Sequence, residues 1–124
     1  MKNNDFDIVK SKIAAYTKEM EDNYNYYLKA IDYYNSKPTD YVAELGESFD
    51  INIAEKFVKT WETIQKMQPV QRNMLLCFIC CDKDYNKTLQ VFNGEGKNYK
   101  NVASLRVLVH NAKKDFFKLY ENID

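Results

Sequence analysis

Cysteine is the first residue type in this chain whose spacing could do chemistry. Cys77, Cys80 and Cys81 stand at i, i+3 and i+4, on adjacent faces of one helix. Structural zinc takes four tetrahedral ligands, commonly from two separated pairs. No second cysteine pair exists and His110 is the one histidine. A site of three cysteines and one histidine would need two helices to meet at that point. The three are read instead as free thiols acting as small buried hydrophobes, with no metal. An odd number in one short run also forms no disulfide framework. The segment 82–93 matches the first, third, fifth and eighth positions of an EF-hand loop. It places Lys87 where glycine permits the sharp turn, and Asn93 where a bidentate glutamate completes the site. No calcium is assigned, and Asp82 or Asp84 is read as a helix cap. His110 has no nucleophile pattern around it, and no Gly-rich phosphate loop, Gly-x-Ser-x-Gly elbow or His-Glu-x-x-His occurs. The expectation is a protein that is not an enzyme and carries no cofactor.

The elements that must position these residues are helical. At 124 residues and 45% apolar composition the chain suits one packed domain. Two prolines and three glycines leave little punctuation for strands. The expected fold is all-α: a long N-terminal helix over residues 1–36, a linker helix and an amphipathic helix over 37–68, and a trihelical unit over 69–124. Phe6, Val9, Ile13, Tyr16, Met20, Tyr24, Tyr27, Ile31 and Tyr34 recur at spacings of 3 and 4. That is an apolar seam near a heptad rhythm. It packs either on its own domain or on a second copy, as a homodimer arm. Tyr24, Tyr26, Tyr27, Tyr33 and Tyr34 crowd one end, and their hydroxyls seek water or a partner. They form a candidate protein interface.

Lys37-Pro38 ends the first helix, and Thr39 can cap a short one that Gly46 closes. Asp50 caps a helix over 51–68, with Ile53, Ala54, Phe57, Val58, Trp61, Ile64 and Met67 along one stripe. Pro69 opens an apolar helix to about Cys81. A short helix spans 85–92, and 93–97 carries the strongest turn signal. Asn101 caps a last helix whose Val102, Leu105, Val109, Ala112, Phe116, Leu119 and Ile123 keep helical spacing.

Net charge is zero, but nine Lys and Arg against six acids fall in residues 69–124. A basic excess is the sign expected of a segment facing nucleic acid. The layout there is helix, short helix, turn, helix. In a helix-turn-helix the start of the last helix enters the major groove. Here that start and its turn present Lys97, Lys100, Asn101, Ser104 and Arg106. Arg and Asn suit guanine and adenine edges, while Lys and Ser suit phosphates. The alternative is an ordinary helical hairpin with polar residues around it.

Pro69-Val70-Gln71-Arg72 starts an apolar helix, and Ala112-Lys113-Lys114-Asp115-Phe116 continues the last one. In these features the stretch 69–120 resembles region 4 of bacterial sigma factors. It is similar to the same module in phage late-transcription regulators of the ArpU type. The chain departs from them in its long turn, 93–100, and in Thr88-Leu89-Gln90 where Glu-Ile-Ala is usual. Abundant Tyr, Lys, Asn and Asp suit an AT-rich genome such as that of a low-GC bacterium or its phage. The resemblance implies a transcription regulator whose partners are DNA, RNA polymerase or both. The alternative is a helical protein-binding module, a phage-borne inhibitor or immunity-type protein, using the tyrosine surface on another host or phage protein. The start of the chain lacks a signal-peptide run. The longest apolar run, Met74 to Cys81, is far short of the roughly 20 residues of a membrane span. A cytoplasmic protein with no membrane partner is expected.

Overall fold

The computed structural model describes residues 2–36, 41–94 and 101–122. They form six helices and, among the described residues, no strand: α1 Lys2–Ser36, α2 Tyr41–Leu45, α3 Ile51–Lys66, α4 Pro69–Cys80, α5 Tyr85–Gly94 and α6 Val102–Glu121. The fold is an all-α bundle. The expected Thr39 cap and most of the turn over 93–100 lie outside the described residues.

Local chemistry sets the helix ends. Gly46 closes α2 with φ +89°, a left-handed value that favours glycine, and its N–H donates to Val42 O at 2.9 Å. The Asp50 carboxylate accepts the N–H groups of Asn52 and Ile53 and starts α3. Pro69 occupies the first turn of α4, where a missing N–H costs nothing. Arg72 reaches back across that corner, and its Nη1 donates to Gln65 O at 3.3 Å. A cation there meets an unsatisfied carbonyl at the end of α3. Asp82 and Lys83 both have φ +60°, which breaks α4 from α5. Lys83 N–H donates to Phe78 O at 2.9 Å, closing the exposed carbonyls of α4 in the manner of a glycine cap. Asp84, not Asp82, caps α5, accepting from Asn86 and Lys87 N–H at 2.8 and 3.1 Å.

α1 runs antiparallel to α3: Tyr34 meets Phe49, Tyr27 meets Phe57 and Tyr24 meets Glu62. Its N-terminal half lies against α4 and α5. The seam expected of α1 is therefore turned onto its own domain. Val9 and Ile13 join a core of Met74, Phe78, Val91, Leu105 and Val109. Ile13, Tyr16, Met20 and Tyr24 join a second cluster of Trp61, Ile64 and Leu76. α6 packs on α3, α4 and α5 through its inner stripe.

That orientation of α6 is directly measurable. Leu105 is 0% exposed and Val107, two residues on, is 58% exposed. Leu105→Ala is expected to cost about 2–5 kcal/mol in urea unfolding, from lost burial and the cavity left behind. Val107→Ser is expected to change stability by no more than about 0.5 kcal/mol. Equal losses for the two would show that α6 is turned differently.

Candidate functional site

The last helix begins where Asn101 Oδ1 accepts the Ser104 N–H at 2.8 Å. Asn101 is thus a cap, as its position suggested, and its carbonyl oxygen is spent on the helix. Beyond it, Leu105, Val109 and Ala112 are buried, with Phe116 and Leu119 partly so. With a 100° step per residue, this stripe turns the opposite face to solvent. Ala103, Ser104, Arg106, Val107, His110, Asn111, Lys113, Lys114, Phe117 and Lys118 are all exposed. Between Asn101 and Lys118 the exposed positions carry four cations and no carboxylate. Asp115 is partly buried, and its Oδ2 is closed off with no hydrogen-bond partner.

Two of these cations are held on aromatic rings. The Arg106 guanidinium lies over the Tyr85 ring at 5.0 Å, which ties α6 to the start of α5. Lys113 Nζ lies over the Phe78 ring at 5.0 Å, and the Phe78 and Tyr85 rings lie tilted against each other at 4.8 Å. Of the five expected contact residues, Asn101, Ser104 and Arg106 fall together at the head of α6. Lys97 and Lys100 lie outside the described residues. Lys113, Lys114 and Lys118 are further cations of this face, outside the expected contact set. Their signal was present: Arg106 and Lys113 are seven apart, and Lys114 and Lys118 four apart, so each pair shares a side of the helix.

The tyrosines of α1 do mostly internal work. Tyr24 Oη donates to Glu62 Oε2 at 2.9 Å, and burial together with that bond pushes its pKa up. Tyr27 packs on Phe57 at 5.1 Å and Tyr34 on Phe49 at 6.0 Å. Tyr33 is partly buried. Tyr26 keeps 50% of its surface exposed, beside Ile53 at 60%. These two line a cleft with Tyr27 and Phe49.

The thiols divide by surroundings. Cys77 and Cys81 are buried and Cys80 is partly exposed, and none of the three is in a disulfide. Among the described residues no cluster of His, Cys, Asp and Glu could hold a metal ion. His110 stands exposed on α6. A hydrogen bond from Cys77 lowers the Cys81 pKa to about 7, against the upward push of burial. Burial raises that of Cys80. No described helix is long and apolar enough to cross a membrane.

No family model, curated protein or solved structure matches the chain.

The thiol arrangement gives a pH prediction. Hydrogen bonds to a thiolate favour the charged form, so removing a donor raises the pKa. Thiolate absorbance should show one titration near pH 7, lost in Cys81→Ser and moved upward in Cys77→Ala. An unchanged titration in Cys77→Ala would remove Cys77 as the cause.

Proposed function

We propose that this chain is a non-enzymatic transcription regulator that binds DNA, alone or on RNA polymerase, through the outward face of α6. One observation carries the reading: the exposed face of α6 presents Arg106, Lys113, Lys114 and Lys118 with no exposed acid before Glu121. Phosphate contacts supply most of the non-specific affinity for DNA, and cations clustered on one helix face are their usual footprint. Ser104, Arg106 and Val107 lie exposed at the head of the helix, the part that reaches base edges in a helix-turn-helix. The resemblance of 69–120 to sigma region 4 modules points the same way, toward a regulator of phage or bacterial origin. α4, α5 and α6 pack on one another, a contact that such a trihelical unit requires.

A protein partner is the second reading. The exposed Tyr26 and Ile53 at one cleft favour it, because no described element covers these aromatic and aliphatic side chains.

Fluorescence anisotropy on duplex DNA across a salt series tests the first reading. Log affinity should fall linearly with log salt, and each of Arg106→Ala and Lys114→Ala should reduce that slope by about 1. Absence of binding at low salt, both with and without polymerase, would refute it. A pull-down with and without nuclease separates the second reading. A protein captured after nuclease treatment and lost in Tyr26→Ala supports it, and capture unaffected by Tyr26→Ala counts against it.

A further inference from the structure

A cavity of about 430 Å³ opens where α1, α3, α4 and α6 meet. Its volume is in the range of small-molecule sites. Ile64, Leu75, Phe78 and Phe116 wall it, and Lys83 and Lys113 stand at its rim as exposed residues. No acid lines it. The clefts beside Glu62, Asp82 and Asp50 differ in this respect, since each includes a carboxylate.

We propose that this cavity binds an amphipathic carboxylate, a medium-chain fatty acid, with its alkyl chain inside and its carboxylate between Lys83 and Lys113. The assignment goes beyond the reading of α6 as a DNA-facing helix and does not require it.

Charge complementarity selects the head group. Two ammonium groups at one rim, with no carboxylate in the lining, present a positive site. A carboxylate placed there gains charge-assisted hydrogen bonds. The walls select the body. Four large apolar side chains favour an alkyl chain over water. The polar lining besides the lysines is the hydroxyls of Tyr16 and Thr60. The Thr60 hydroxyl already donates to Lys56 O at 2.8 Å. Little remains to orient a substituted, hydrogen-bonding ligand, so an unsubstituted chain fits better. Lys113 is held at the site by its contact over the Phe78 ring, a wall of the cavity. Lys83 is set there by the left-handed turn that ends α4.

Dodecanoate is the probe, titrated below its micelle-forming concentration by isothermal calorimetry. Dodecanol and dodecylamine serve as neutral and cationic controls. One dodecanoate per chain is expected, with dodecanol at least about tenfold weaker and dodecylamine weaker still. The double variant Lys83→Asn, Lys113→Gln should lose about tenfold for dodecanoate and nothing for dodecanol. Asparagine tolerates the left-handed backbone at position 83, and glutamine suits a helix surface, so this variant keeps the fold. Ile79→Trp, which fills the cavity from a partly exposed position, should abolish binding while circular dichroism and melting stay those of a folded chain. If Ile79→Trp unfolds, the double lysine variant decides alone. No dodecanoate binding overturns the proposal. So does equal affinity for dodecanol, or dodecanoate binding that neither variant weakens.

Discussion

α4 has almost no polar face to give to water. Met74, Leu75, Leu76, Cys77 and Phe78 are five consecutive buried residues, which is more than one full turn of helix. A helix apolar on every side must be covered on every side. α6 covers one flank, the N-terminal half of α1 another, and α5 its far end. Leu76 points into the separate cluster with Trp61 and Ile64, which draws α3 onto the same axis. The rest of the arrangement follows from that requirement. Once α6 lends its inner stripe to α4, its polar side has one direction left, outward. α1 is long because it covers α3 along one half and α4 with α5 along the other.

The corners of the fold were legible because their chemistry is local. Asp50 and Asn101 bond N–H groups two or three residues away, and Gly46 answers a backbone angle at its own position. Arg72 holds the carbonyl of Gln65 across the corner between α3 and α4, three residues after Pro69. The periodic stripes of α3 and α6 also showed plainly, because burial on one side leaves a 3.6-residue signature.

Other features depend on residues far apart in the chain and leave no such trace. Tyr24 and Glu62 are 38 residues apart, and nothing near either one names the other. Tyrosine itself misleads, since one ring can close a core and still offer its hydroxyl to a partner. A tyrosine-rich end of α1 therefore read as an interface, whereas much of it lies against α3. The near-heptad seam had the same ambiguity, because period alone does not say whose helix covers it. Lys83 in a left-handed turn was hidden too, because the turn chemistry that marks such positions belongs to glycine and asparagine. The cavity is the extreme case. Its walls come from four helices, and only their packing brings Lys83 beside Lys113.

Lys113 stands at a junction between the two proposed sites. It is exposed on the cationic side of α6, and it lines the cavity beneath that side. An anion drawn into the cavity and a phosphate drawn to the helix face would share its one positive charge. Such sharing makes each event weaken the other, and by linkage the weakening is equal in both directions. Arg106 and Lys118 do not line the cavity and would keep their charge when it is filled. The coupling is therefore bounded: it removes part of the attraction of α6 for phosphate and leaves the head of the helix unchanged. A helix that must bury one side on α4 has its flanks next to whatever space the packing leaves. In this chain that space carries a cation also counted on the outer surface.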